Sequence, residues 1–278
     1  MIPGNSYSTT GRNHPIKGIR RLLGLGLFAV LSVAQAQNMP EGVAVVTGVL
    51  QPVDWSRPEA GSVHPKLNDT TRIQGRSLRT GKGAHLFLAL SNGLAIGIGE
   101  NSELDVDVYQ QTPFSERRES LDYEPSVSQL SLRLKHGVLA VATNRLSPLS
   151  QARIALPSGQ VRIHSGVALF SAGDTGMHLT ALEGTLTYYY PEGAHREFLA
   201  APQSIRLTEQ SARQNRIAAT PTIEDMPDEW KHLAQATRHA SRRVFFQAAE
   251  EGAAPRPVRI VSPEYFKQVP VRPYEFSD

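Results

Sequence analysis

Three carboxylates, Glu103, Asp105 and Asp107, alternate with Leu104 and Val106 in one short segment. Side chains at every second position of a β-strand share a face, so this segment would present a row of oxygen ligands of the kind that calcium prefers. The same alternation is typical of a strand with one face in the core and one in water. Because calcium ligands usually converge on a loop, we favour the second interpretation and predict no metal site.

The other residues that could do chemistry form no catalytic motif. The chain has no Gly-x-Ser-x-Gly elbow and no His-Glu-x-x-His pair. It also has no phosphate-binding loop and no dinucleotide-binding fingerprint. It has no Cys, which excludes disulfides, thiol nucleophiles and iron–sulfur clusters. Four of its nine histidines lie singly in or beside predicted strands, where histidine is usually structural: His85, His136, His164 and His178. We therefore expect a non-enzymatic protein without a cofactor.

Aromatic side chains offer candidate binding residues instead. On a strand, Tyr188 and Tyr190 share one face and Tyr189 takes the other. An exposed tyrosine pair would stack on a sugar ring or on a partner's side chain, although tyrosine also suits a half-buried sheet surface. Trp55 lies in a polar stretch and is the third candidate, with capping of the core end as its structural alternative.

The first 36 residues have the organisation of a secretory signal peptide. A basic segment precedes the apolar run from Leu22 to Val33, and the small-residue sequence Ala34-Gln35-Ala36 follows. This order predicts cleavage after Ala36 and a periplasmic or secreted protein. The run is shorter than the roughly 20 apolar residues of a membrane span, so we expect no stable span after cleavage; retention as an anchor is the alternative.

The positive charge of the whole chain is concentrated in this signal. The formal net charge is +3, and no acidic residue comes before Glu41. Removing the signal's four basic residues leaves a net charge of about −1 on residues 37–278. The basic composition therefore gives no support for a nucleic-acid partner.

Residues 37–210 have the pattern of an all-β domain. From Val43 to about Leu207, apolar residues recur at every second position in short runs between Gly and Asn, and no helix-period segment lies between them. We predict an antiparallel sandwich or β-roll of about 10–14 short strands. The alternation places Leu104, Val106, Leu130 and Leu132 inward and Asp105, Asp107 and Arg133 in water. Hairpins or turns are expected at Asn92-Gly93, His136-Gly137, Ser158-Gly159, Gly173 to Gly176, Glu183-Gly184 and Glu192-Gly193.

Two stretches depart from this pattern. Gln110 to Ser128 is polar and predicts a long exposed loop. After a linker at 211–226, residues 227–252 predict one amphipathic helix that begins at Pro227 and ends at Gly252. Its apolar stripe, centred on Trp230, Leu233 and Val244, must dock on the β-domain, which we favour, or on a partner. Residues 253–278 form a Pro-rich tail.

Four motifs of the β-region occur in the order of a known family. Leu78 to Leu104 has a Thr-Gly before a strand, an Asn-Gly turn and a Ser before an alternating strand. Leu130 to Val141, Ala155 to Ile163 and Leu182 to Leu186 follow it. Together these motifs resemble the FecR-type periplasmic domain. The resemblance implies an extracytoplasmic β-domain that acts in signalling.

The chain also departs from that family. Ser165 to Phe170 lacks the Thr of the usual Gly-Thr motif, and a signal peptide replaces the cytoplasmic sigma-factor-binding segment and membrane helix of the family's regulators. We therefore carry over the β-domain but not the iron-transport role. We expect a FecR-like module that binds an envelope protein or a polysaccharide. The alternatives are a carbohydrate-active or metal-dependent extracytoplasmic enzyme, or a structural envelope component.

Overall fold

The computed structural model describes residues 39–57, 61–112, 126–143, 146–242, 244–247 and 256–260. The predicted signal peptide, most of the predicted loop at 110–128 and most of the Pro-rich tail lie outside these ranges. Among the helices that are described, none combines the length and the apolar character needed to cross a membrane.

The described residues confirm the predicted all-β class. They form strands β1 (Ala44–Leu50), β2 (Val53–Arg57), β3 (Gly61–Val63), β4 (Thr70–Thr71), β5 (Ser77–Thr80), β6 (His85–Leu90), β7 (Ala95–Ile98), β8 (Ser102–Gln111), β9 (Ser128–Ala142), β10 (Gln151–Leu156), β11 (Gly159–Gly173), β12 (Gly176–Tyr189), β13 (Arg196–Ala200), β14 (Ser204–Leu207), β15 (Val244–Gln247) and β16 (Arg256–Ile260), with helices α1 (Glu209–Arg213) and α2 (Asp228–Ala240).

Fourteen of these strands form one continuous sheet, and β15 and β16 form a separate hairpin. The first half of β9 lies between β8 and β10, and its second half lies between β7 and β11. The pairing of β9 with β10 is parallel, unlike the antiparallel pairing that we predicted throughout. Three strands of 14 or 15 residues, β9, β11 and β12, are also longer than predicted. They hold the two halves of the sheet together.

Four of the six predicted turns are confirmed. The β6–β7 hairpin turns at Asn92-Gly93, where Gly93 has a positive φ of 83°. The side-chain amide of Asn92 points into the interior, where it donates a hydrogen bond to Ser128. The other three join β10 to β11 at Ser158, β11 to β12 between Gly173 and Gly176, and β12 to β13 at Glu192-Gly193.

The predicted turns at His136-Gly137 and Glu183-Gly184 are wrong, because both glycines lie inside long strands. Gly137 has a φ of 93° at the position where β9 changes both of its neighbours, and a Cβ there would collide with Ser102. Gly184 has a φ of 71°, and a Cβ there would collide with the backbone of Ser165. Glycine in a strand can thus mark an irregularity through which the strand continues.

The predicted core register is confirmed. Leu104, Val106, Leu130 and Leu132 are buried in the main core, whereas Asp107 and Arg133 are exposed and Asp105 is half-buried. Arg133 lies 2.8 Å from Asp107 across the β8–β9 pair. The inward face therefore supplies apolar burial, and the outward face carries paired charges.

Helix α2 docks on the sheet of its own domain, as we favoured. Leu233, Ala234 and Thr237 are buried against the outer surface of β6, β7, β9 and β11. The approach is close because Gly97 has no side chain: a Cβ at Gly97 would collide with Thr237 Oγ1. Gly97 thus lets the helix lie directly on the strand.

The predicted continuation of this helix to residue 252 is wrong. The helix ends at Ala240, and Val244 lies in β15, which pairs with β16. Val244 and Phe246 pack on Val43 and Val45. Alternate β-branched and aromatic residues favour a strand here, and packing on β1 buries them. Helix α1 spans the predicted boundary between the β-domain and the linker, and it has a capping box between Thr208 and Ser211.

We predict that Leu132→Ala lowers the free energy of unfolding by about 2–5 kcal/mol, because it opens a cavity in the main core. Arg133→Ala, one position away on the wet face, should change it by no more than about 1 kcal/mol. Urea denaturation measures both. Equal losses would show that the register is misassigned.

A second prediction concerns the docked helix. Leu233→Ala should cost about 2–5 kcal/mol and increase the binding of a hydrophobic dye, because Leu233 fills the contact between α2 and the sheet. Gln235→Ala, on the exposed face of the same helix, is the control and should remain within about 0.5 kcal/mol of the wild type. A Leu233 variant as stable as the control would contradict docking.

Candidate binding site at the edge of the sheet

The two predicted binding tyrosines share a face, but that face is the interior. Tyr188 and Tyr190 are 0% and 2% exposed, and their rings make an edge-to-face contact with centroids 4.9 Å apart. Tyr188 donates a hydrogen bond to the carbonyl of Ser158, and Tyr190 donates one to Glu197 Oε1 over 3.1 Å. Exposed stacking by this pair is therefore wrong; Tyr189, on the other face, is the half-exposed member.

Burial governs the chemistry of both phenols. It raises the pKa of Tyr188 far above the usual range and, with the charge of Glu197 as a smaller cause, raises the pKa of Tyr190 to about 12. Both phenols therefore remain protonated donors at physiological pH.

The other predicted site residues do not join the tyrosines in one site. Trp55 is 3% exposed and packs in the main core. The prediction of an exposed binding residue is therefore wrong, and Trp55 has the structural role given as its alternative. Trp230 is half-buried and makes an edge contact with His178, with ring centroids 5.9 Å apart. Leu233 faces the sheet, and Val244 is not part of the helix. The stripe that could have served a partner is used inside the domain.

The row of carboxylates is matched by basic side chains. Glu103 lies 2.7 Å from Lys135 Nζ and 3.1 Å from Arg79, and Lys135 also lies 2.9 Å from Asp105. The hydrogen bond from Lys135 is the largest cause of the lowered pKa of Glu103. Across the described ranges, no three His, Asp or Glu side chains converge in a geometry that would hold a metal ion.

Strand β13 leaves its outward backbone edge free around Phe198, whereas Gln203 occupies the outward groups of Ala200. Tyr190 N–H donates to His195 O over 3.2 Å and Ala201 N–H donates to Gly184 O over 2.9 Å, which fixes the phase of the ladder between β12 and β13. In an antiparallel pair only alternate residues bond to the neighbouring strand. The N–H and C=O groups of Phe198 therefore point away from β12. No described strand pairs with β13 on that side.

A cleft of about 520 Å³ lies beside this edge. Its far wall is the segment after Ala219. Backbone hydrogen bonds between Arg206 of β14 and Ala218 and Ala219 hold the start of this segment to β14. No described hydrogen bond joins residues 220–224 to β13, and both line the cleft. The apolar residues that line the cleft are Phe198, Leu199, Pro202, Ile205, Ile217, Pro221 and Ile223.

The polar lining of the cleft is acidic. Glu197 and Glu224 are its two ionisable residues, and neither has a Lys, Arg or His within ion-pair distance among the described residues. Glu197 accepts the hydrogen bond from Tyr190, so the buried tyrosine orients a carboxylate that lines the cleft. The predicted tyrosines thus lie behind this site and support it from the interior.

The outer face of the sheet reaches the same edge. Phe198 is 62% exposed, and its ring lies 6.4 Å from the ring of His164, whose Nε2 is 2.9 Å from Thr187 Oγ1. Partial shielding from water by its neighbours is the larger cause and the charge of Arg162 the smaller cause of a lowered His164 pKa, although the residue is exposed as a whole.

The sequence contained a signal for Phe198 that we did not use. In Arg196-Glu197-Phe198-Leu199-Ala200, Leu199 is the residue that suits the core. Neighbouring residues of a strand face opposite sides, so Phe198 must face outward. The cleft had no such signal, because it depends on the path of residues 217–224 relative to β13.

Comparison with known proteins assigns the chain to no family. No family model matches the chain, and no curated protein matches its sequence. It is similar to two crystal structures, at 1.65 and 2.50 Å resolution, of a provisionally assigned anti-sigma factor from Parabacteroides distasonis. The TM-scores are 0.37 and 0.38 at 11% identity, and the match covers 52% of this chain and 59% of those chains. Similarity at this level carries no functional argument, and the chain spans about three-fifths of the length of those structures.

We predict that an NMR titration gives His164 a pKa below 6.5, the value for an unperturbed histidine. Arg162→Gln should raise it part of the way, because partial shielding from water, the larger cause, remains. Arg153→Gln is the matched control and should move it less. Since the folded protein binds this proton more weakly, stability should fall as the pH drops from 6.5 through the folded pKa. A His164 pKa above 6.5 would contradict the assignment.

Proposed function

We propose that the chain is an exported, non-enzymatic FecR-like module of the bacterial cell envelope that acts in signalling by binding a segment of a partner envelope protein. The predicted signal peptide and the four ordered motifs support the compartment and the family. The observation that carries the binding function is the free edge of β13 beside the cleft. This edge offers backbone donors and acceptors that only an extended chain can match in series.

The mode of binding follows from the phase of the ladder. Phe198 directs its N–H and C=O toward the cleft, and Arg196, two residues away, has the same phase. An extended peptide that pairs with these groups would add a strand to the sheet, as in β-augmentation. The volume between β13 and residues 220–224 is the space for that strand.

The cleft also defines the chemistry of the partner segment. Its walls include Leu199, Ile205 and Ile223, so alternate side chains of the added strand should be apolar. Glu197 provides negative charge and has no described cation within ion-pair distance, so a Lys or Arg in the segment would find complementary charge. The proposed ligand is an extended, apolar segment with a basic residue.

The test uses substitutions that separate backbone pairing from side-chain contact. Phe198→Pro removes the outward N–H but no bond to β12, since this N–H lies outside the ladder. Phe198→Ala keeps the N–H and removes the ring. In a pull-down from envelope extract, the wild type and Phe198→Ala should retain the same protein, and Phe198→Pro should lose it.

Two further measurements protect the interpretation. Thermal unfolding must show that Phe198→Pro is folded. Thr220→Trp, on the far wall of the cleft, should also abolish retention because it fills the space for the strand. On binding, hydrogen exchange should slow at the Phe198 amide of the wild type. Retention by both Phe198→Pro and Thr220→Trp would overturn the proposed site.

A further inference from the structure

The outer face of β10 to β13 carries arginine without matching acid. Strand register places Arg153 of β10 beside Arg162 of β11, and Arg162 beside Thr187 of β12. Thr187 is beside Phe198 of β13, and the next row contains Tyr189 beside Arg196. Arg153 and Arg196 are exposed and Arg162 is half-buried. We call the surface formed by Arg153, Arg162, Tyr189, Arg196 and Phe198 the arginine–aromatic face.

The charge on this face is not neutralised within the described chain. Arg133, in the neighbouring β8–β9 region of the same surface, lies 2.8 Å from Asp107, and Lys135 is within 2.9 Å of both Glu103 and Asp105. None of the described carboxylates comes within 4 Å of Arg153, Arg162 or Arg196. Glu197 of β13 lies opposite the inward-facing Tyr188 and so belongs to the other face of the strand. One half of the outer surface is balanced, and the other half is positive.

Aromatic rings lie among these arginines. Tyr189 is half-exposed, and Phe198 is among the most exposed large apolar side chains described, at 62%. Side chains on adjacent strands lie about 5 Å apart, and side chains two residues apart on one strand lie about 7 Å apart. The face therefore places three guanidinium groups and two rings in two adjacent rows of the sheet, over the length of a few sugar residues.

We propose that the arginine–aromatic face binds a linear anionic polysaccharide that carries carboxylates. Guanidinium groups pair with carboxylates through two parallel hydrogen bonds. Tyrosine and phenylalanine rings pack against the C–H face of a sugar. A lipid bilayer would require a larger apolar surface than one phenylalanine supplies. Single-stranded nucleic acid is the other polyanion that arginine and aromatic side chains recognise, and the test includes it as the competing ligand. This surface lies beside the cleft proposed for the protein partner but uses different groups.

The test measures binding of polygalacturonate fragments of about ten sugars to the exported protein by calorimetry at low salt. We expect saturable binding that weakens as salt is added. The triple substitution of Arg153, Arg162 and Arg196 by Gln should weaken binding by at least about tenfold, the change expected for the loss of one to two good ion pairs. Tyr189→Ala should weaken it by several-fold without changing the net charge.

The control has the same change in net charge at other positions. Lys82, Arg213 and Arg216 are exposed and lie outside strands β9 to β13. Their joint replacement by Gln should leave affinity within about twofold, because distant exposed charges are screened. Equal losses in the two triple variants would overturn the proposal, since they would indicate attraction to net charge alone.

Further outcomes also decide against the face. Absence of saturable binding to polygalacturonate would overturn the proposal, as would equal binding to neutral dextran. Tighter binding to single-stranded DNA or to phosphatidylglycerol vesicles would assign the face to another class of ligand. Thr220→Trp fills the cleft but keeps the three arginines, Tyr189 and Phe198, so polygalacturonate binding that survives in this variant separates the face from the strand-addition cleft.

Discussion

The middle of the sheet must be buried on both faces, and this constraint determines which surfaces remain free. The main core covers the inner face, while α2 and the β15–β16 hairpin cover the outer face of β1, β6, β7, β9 and β11. The outer cover depends on a close approach at Gly97, where a Cβ would collide with Thr237. Neither α2 nor the β15–β16 hairpin covers the outer face of β13. The exposed edge and the arginine–aromatic face therefore lie beyond the part of the sheet that is buried on both sides. The candidate sites are a consequence of how the rest of the sheet is covered.

The β6–β7 turn is fixed by buried hydrogen bonds in addition to apolar packing. Ser91 Oγ lies 2.8 Å from Tyr109 OH and 2.5 Å from Gln111 Oε1, and it accepts a hydrogen bond from Val43 N–H over 2.9 Å. Asn92 extends the network by donating to Ser128 Oγ over 3.0 Å. A buried network of this kind is stable only when its groups find partners. The network joins the β6–β7 turn to the start of β1 and to β8 and β9. The Asn-Gly turn therefore supplies buried hydrogen bonds as well as a reversal of the chain.

Short-range patterns predicted the strands but not the irregularities that connect them. Along β9 the inward residues are Leu130, Leu132 and Leu134 before Gly137, and Leu139 and Val141 after it. The parity changes because β9 exchanges both neighbours at that glycine. Alternation along one strand cannot reveal such a change, since it is set by pairing with distant segments. The same limitation affected Val244: its spacing fits a helix stripe, but packing on Val43 and Val45 places it in a strand.

The cleft at the edge of the sheet could not be predicted for a related reason, because it depends on the path of residues 217–224 relative to β13. The cleft and the arginine–aromatic face are connected through β13. The outward ring of Phe198 belongs to the arginine–aromatic face, and its backbone belongs to the cleft. The neighbouring Glu197 is held by Tyr190 from the interior. Displacement of β13 would therefore change the ring, the backbone edge and the carboxylate together. Leu199 of the same strand is buried in the main core. A displacement of β13 would therefore also disturb the packing of that core. This connection through one short strand would allow a protein segment and a polysaccharide to influence each other's binding without a contact between them.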